Sequence, residues 1–336
     1  MHIYGIHSST SENCGISIFN MHLKQSLHKM GFHFEVLNLQ ENNSVNDKMN
    51  AILHYIPSAY STEQSSQRLI RLLQEIYFEK LVVIFHGVYR EEEKRYYKDT
   101  PCPFQKEHLN FIFKKSTEII ALSKTVEVNL KSWLSKFNIN RNIITLDHPG
   151  LFISQPSVKT NFPYVFIGGV SRPKKNCNNE STDKLIKICK ERKLPVWMHW
   201  TNMSDFDYYE NNLHNVWKTT KGLVSDQSWC NIITNAKVIL CPYETHIQSV
   251  SGLIAEALSA KCYVLTTAFD FANEMKKRFP SLVIVNDNIE QWPDLIEKLL
   301  HENIHILSNY YSWKDFTDDL LSALVYSTEG NMVYNY

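Results

Sequence analysis

At 336 residues, with 43% apolar and 12% aromatic side chains, the chain holds material for about two cores of roughly 150 residues each, which excludes a disordered or fibrous polypeptide. Thirty-five basic side chains balance thirty-five acidic ones, so no overall field draws the protein to nucleic acid or to an anionic membrane, and only a local basic patch stays open. No apolar run reaches the roughly eighteen residues of a membrane span, and the opening MHIYGIHSS lacks the basic start and apolar stretch of a secretion signal, so the sequence points to the cytoplasm.

Short apolar, β-rich runs alternate with stretches of helical period through most of the chain, the pattern of a parallel α/β architecture. In the first half, strands are expected at 2–7, 33–39, 51–56, 81–86, 118–122 and 142–146, separated by helices at 15–30, 62–77, 104–115 and 124–137. The segment 148–162 has two prolines and a glycine without helical period and reads as a linker. A second series follows, with strands at 163–168, 195–200, 237–241, 262–266 and 281–285 and helices at 180–192, 226–235, 251–260, 271–278 and 289–301; a last helix spans 313–326. The seven cysteines are scattered without C-x-x-C spacing and read as reduced, mostly buried thiols.

Only ten glycines occur, and several fall at expected strand or helix ends: Gly15, Gly87, Gly168, Gly169 and Gly252. A glycine there lets a phosphate or sugar approach the backbone, and the unpaired N–H groups of a helix start attract anions. Ligands of open α/β sheets bind at the carboxyl ends of strands, so these positions mark one rim on each half. Ordinary turn glycines are the competing reading at each single position.

Seven segments in order then resemble family-4-like glycosyltransferases. They are NCGISIFNMHLKQSLHKMGFHFEVL, VVIFHG, STEIIALSKTVEVNLKSWL, NIITLDHPG, FIGGVSRPKKN, KGLVSDQSWCNIITN and AKVILCPYETHIQSVSGLIAEALSAKCYVLTTAFDFANEM. The resemblance spans nearly the whole chain. It implies a GT-B fold of two Rossmann-like domains facing a cleft: 1–150 for the acceptor, 151–310 for the nucleotide-sugar, and a terminal helix at 311–336 returning to the first. It further implies transfer from a UDP- or GDP-type sugar to a hydroxyl acceptor such as a polysaccharide or glycolipid precursor, with retention, no required metal and no cofactor. Peripheral contact with the inner face of a membrane fits such an acceptor.

A leaving diphosphate gathers negative charge, which cations and N–H dipoles must meet where no metal does. By resemblance Lys174 holds the lysine position of the glycine-bearing loop. The family's arginine after the first glycine is replaced by Gly169, and Arg172 is the nearby substitute. In QSVSGLIAEAL, the N–H groups around Ser249 to Gly252 cradle the diphosphate, Ser251 caps the helix, and Glu256 takes the ribose hydroxyls. The family's second glutamate is Gln248 here, with Glu244 as the alternative acidic contact. His86 ends a strand beside Gly87, where the family places a histidine at the donor sugar and acceptor. Gly15, with Asn13 and Cys14, brings the first loop to the diphosphate or acceptor.

Asp205-Phe206-Asp207 spells a metal-binding D-x-D but lies in a polar loop and reads as coincidence, and the remaining histidines, His54 and His148 among them, show no paired spacing. Three alternatives stay open. A sugar-nucleotide epimerase shares the fold; a non-catalytic partner is motivated by Gly169 and Gln248; a DNA-modifying transferase is disfavoured by the neutral charge.

Overall fold

Both halves of the chain alternate short apolar strands with helices, and each builds an all-parallel sheet of six strands. The computed structural model describes residues 2–7, 15–38, 48–89, 104–153, 155–157, 163–170, 179–200, 218–222, 224–243, 250–303 and 309–326. The chain divides into two units, residues 1–147 with 313–336, and residues 148–312.

In chain order the first half contains β1 (His2–His7), α1 (Gly15–Lys29), β2 (His33–Asn38), β3 (Met49–Tyr55), α2 (Glu63–Glu75), β4 (Phe78–Phe85), α3 (Gln105–Lys115), β5 (Glu118–Ala121), α4 (Lys124–Lys136) and β6 (Ile144–Thr145). The second half contains β7 (Tyr164–Val170), α5 (Asn179–Glu191), β8 (Val196–Trp200), β9 (Lys218–Lys221), α6 (Asp226–Asn235), β10 (Ala236–Cys241), α7 (Gly252–Ser259), β11 (Tyr263–Thr266), α8 (Asp270–Arg278), β12 (Val283–Val285), α9 (Trp292–His301) and α10 (Trp313–Tyr326).

The central strands, such as β4, β7 and β10, are near-continuous runs of buried Val, Ile, Leu and Phe, as parallel sheets covered on both faces require. In the first unit the order is β2-β1-β3-β4-β5-β6. One face packs against α1 and the C-terminal helix α10, which returns to this unit and sets Trp313 and Phe316 against Phe19. On the other face Tyr55 of β3 meets His108 of α3, whose second nitrogen reaches Ser66 of α2 at 2.7 Å. Burial lowers the His108 pKa to about 4, so this histidine is a neutral hydrogen-bonding spacer.

The second unit has the order β12-β11-β10-β7-β8-β9 around a core that includes Phe166, Phe271 and Trp292. Serines start three of its loop-to-helix transitions or their counterparts in the first unit. Ser123 caps α4, Ser225 caps α6 and Ser251 caps α7, each side chain accepting from the N–H three residues on. Cys189, Cys230, Cys241 and Cys262 are buried free thiols.

The expected elements recur with modest shifts. Strand β3 begins at Met49 and β4 at Phe78, ahead of the expected starts at 51 and 81, because these polar edges still pair in the ladder. Strand β9 was not expected: Lys218-Thr219-Thr220-Lys221 is polar throughout and carries no core signal, yet it closes the sheet edge against β8. The described residues of the expected linker, 148–153 and 155–157, carry no helix or strand. No helix among the described residues is long and apolar enough to cross a membrane.

Candidate functional site

Each sheet reverses its strand order beside its first strand, between β1 and β3 in one unit and between β7 and β10 in the other. Such switch points open a crevice outside the carboxyl ends of the strands. The residues singled out in the sequence fall around these crevices. In the second unit Gly168 and Gly169 lie near the end of β7, while Ser251 and Gly252 open the helix that follows β10, so topology brings segments some eighty residues apart to neighbouring strand ends. In the first unit Gly15 opens α1 after β1, and His86 follows β4, the neighbour of β3. Arg172, Lys174, Glu244, Gln248, Ser249, Asn13, Cys14 and Asp205 to Asp207 lie outside the described residues.

The second-unit crevice is built on the start of α7. The Ser251 hydroxyl accepts from the Ile254 N–H at 3.4 Å and donates to the buried Tyr243 hydroxyl at 3.3 Å. The first amides of a helix lie outside its ladder, and those of Gly252 and Leu253 have no acceptor among the described residues. Gly252 lies close to the His148 ring: a Cβ there would stand 3.3 Å from His148 Cε1, a tight contact that the ring would have to give way to. His148 Nδ1 lies 2.8 Å from the Pro149 carbonyl, which only accepts, so the ring donates through Nδ1.

One turn into α7, the Glu256 carboxylate accepts from the Trp229 indole N–H at 3.0 Å. Burial of the carboxyl raises its pKa to about 7, the Trp229 hydrogen bond works the other way, and the charge of Asp226 adds to the rise. Trp229 is fixed in turn by edge contacts with Phe166 and His199. Phe166 leans over Gly168, where a Cβ would come within 2.3 Å of its ring, so only glycine at 168 leaves Phe166 its place under Trp229. Burial lowers the His199 pKa to about 4, so the ring that packs on Trp229 is neutral at neutral pH.

In the first unit, His86 and the segment behind it are held from several directions. The His86 amide donates to the Tyr55 carbonyl at 3.0 Å. Downstream, Asn129 donates to the Val88 carbonyl, and Trp133 and Gln105 donate to that of Tyr89, while Gln105 also accepts from the Tyr89 N–H. At about 0.5–1.5 kcal/mol each, these bonds fix the turn that carries the histidine. The ring itself meets His54 of β3: His86 Nε2 and His54 Nδ1 are 3.0 Å apart in a buried contact.

His54, Trp229 and His148 were not singled out in the sequence. The signal for the first two was a polar group set among buried neighbours, which must find a partner; their partners lie 32 and 27 residues away, beyond any local spacing. Among the described residues no three His, Cys, Asp or Glu side chains converge as a metal site.

No protein-family model matches the sequence, and no curated protein matches it. Solved structures do. The S. aureus MnaA–UDP co-structure aligns at a TM-score of 0.63 and 14% identity over 99% of this chain and 100% of that one. WaaG, a glycosyltransferase involved in lipopolysaccharide biosynthesis, aligns at 0.57 and 10% over 98% and 96%. The Methanocaldococcus jannaschii UDP-GlcNAc 2-epimerase in complex with UDP-GlcNAc and UDP aligns at 0.55 and 13% over 97% and 100%.

The fold is GT-B. Glycosyltransferases and UDP-GlcNAc 2-epimerases share this GT-B architecture with the chain at similar distances, and the fold alone assigns no activity.

Proposed function

We propose that the chain is a nucleotide-sugar enzyme and, within that class, a glycosyltransferase that moves a sugar from a UDP- or GDP-type donor to a hydroxyl of a glycan or glycolipid precursor. The observation that carries this reading is the Glu256 carboxylate, held through one oxygen by Trp229 one turn inside a serine-capped helix start. Its second oxygen has no partner among the described residues, which suits a ribose hydroxyl, and the open amides of Gly252 and Leu253 suit a diphosphate.

In this reading the second unit binds the donor. The helix N–H groups, with Lys174 assigned by resemblance and Arg172 standing in for the family's missing arginine, meet the charge that gathers on the leaving diphosphate without requiring a metal. Gln248 takes the family's second-glutamate position by resemblance, Glu244 is the alternative acidic contact to the sugar, and the Ser249 amide joins the phosphate cradle. The first unit binds the acceptor, and His86 orients the attacking hydroxyl. The donor phosphate takes the acceptor proton on the face from which it leaves, giving retention.

A UDP-sugar epimerase is the second reading, favoured by the fold shared with the M. jannaschii enzyme. Proton NMR of UDP-GlcNAc incubated with the protein separates the two. The transferase reading expects UDP to accumulate and no isomeric UDP-sugar, with the anomeric configuration kept when an acceptor is supplied. An isomer formed without acceptor would replace it with the epimerase reading.

A further inference from the structure

His54 lies in the middle of an apolar strand, fully buried, and its Nδ1 is spent on His86 Nε2 at 3.0 Å. The register explains the pairing. His54 is opposite Ile84 in the β3–β4 ladder, and His86 stands two residues past Ile84, so the rings share one face of the sheet. Phe19 of α1 presents its edge or face to both, with centroids 5.3 Å from His54 and 5.0 Å from His86. Trp313 and Phe316 of α10 pack against Phe19 in turn, so the ring that borders both imidazoles is backed by the C-terminal helix.

Two imidazole nitrogens facing each other share one proton, with one ring donating and the other presenting its lone pair. The tautomers of His54 and His86 are therefore coupled, and the ring that donates decides whether His86 Nδ1 donates or accepts. We propose that His54 is a positioning residue for His86, fixing through the Nδ1–Nε2 hydrogen bond both the ring orientation and the proton placement that His86 offers to a bound hydroxyl. The functional half of this inference rests on the reading of His86 as an acceptor-orienting residue. A residue in this role resembles the second-sphere partners that orient histidine ligands and catalytic histidines, whose loss is felt through the histidine they hold.

The test uses the full chain labelled with 15N-histidine. In the wild type, a nitrogen–nitrogen coupling across the His54–His86 bond and a single tautomer for His86 are expected; absence of the coupling overturns the proposal and needs no variant. His54→Phe keeps volume and removes the partner, and His86 should become a mixture of tautomers. His54→Asn, whose amide stands near the place of Nδ1, should keep one tautomer. With UDP-GlcNAc as donor and water as the hydroxyl that takes the sugar, UDP release should lose roughly tenfold in kcat in His54→Phe with KM within about twofold, and His54→Asn should recover most of it. An unchanged His86 tautomer in His54→Phe overturns the proposal. His86→Ala separates the two failures: if it abolishes release while His54→Phe does not, the positioning role falls alone; if it leaves release unchanged, the acceptor role of His86 falls and the functional half of the proposal with it.

Discussion

The two units hold their key side chains in opposite ways. In the first, His86 sits on a turn whose carbonyls and amides are tied to Asn129, Trp133 and Gln105, and its ring is pinned between His54 and Phe19. In the second, Glu256 rests on one hydrogen bond from Trp229, with burial pushing its pKa to about 7. The first arrangement fixes geometry; the second holds a charge near its balance point. Under the proposed function the difference has a use: a group that orients a neutral hydroxyl gains from rigidity, whereas one that recognises ribose through its ionised form is tuned by its surroundings.

The contrast breaks most severely at Phe19. Phe19→Ala should cost about 3–5 kcal/mol, because it opens a cavity where α1, α10 and the histidine pair meet, and denaturant unfolding would read the loss. Binding of UDP to the part that remains folded should be little changed, since Phe19 belongs to the other unit. A loss below about 1 kcal/mol would show that the frame around His86 is not the rigid one described.

Trp229→Phe sharpens the second half of the contrast. It keeps a ring against Phe166 and His199 but removes the N–H that favours the Glu256 carboxylate. A hydrogen bond to a charged group is worth about 1.5–3 kcal/mol, so UDP affinity at pH 7 should drop by roughly tenfold or more. Isothermal titration giving the wild-type affinity would remove Trp229 from the site.

The most gradual expected effect is a slope. With a folded-state pKa near 7 against the ordinary 4.5, Glu256 keeps its proton in the native protein across a window in which the unfolded chain has lost it. Its contribution to stability therefore falls as pH rises from about 4.5 to about 7 and levels off above. Glu256→Gln should flatten that part of the melting-temperature profile. It should also remove the tightening of UDP binding expected as the wild-type carboxyl ionises near pH 7.

Much of this architecture was legible in the sequence because buried parallel strands announce themselves as continuous apolar runs, as in Leu81 to Phe85, and because Ser251-Gly252 is a readable helix start. The polar edge strand Lys218–Lys221 was not, since nothing in its side chains marks a buried face. Nor were the two contacts that hold the candidate side chains, one in each unit. His54 reads alone as a stray histidine in AILHYI, and Trp229 as a core aromatic; each gains meaning only when the parallel ladder or the packing of α6 on α7 supplies a partner. Gly168 gave a partial signal, since its need for a bare Cα comes from the ring of Phe166 two residues earlier.

The central claim, that the start of α7 with Glu256 binds a nucleoside diphosphate, is tested most directly by thermal unfolding with UDP and GDP in EDTA, for wild type and Glu256→Ala. At about a hundred times its dissociation constant a ligand adds about 2.7 kcal/mol, which shifts the melting temperature by a few degrees. The account expects that shift with one of the two nucleotides in the wild type and its loss in Glu256→Ala. No shift with either nucleotide, or one that persists undiminished in Glu256→Ala, would contradict it.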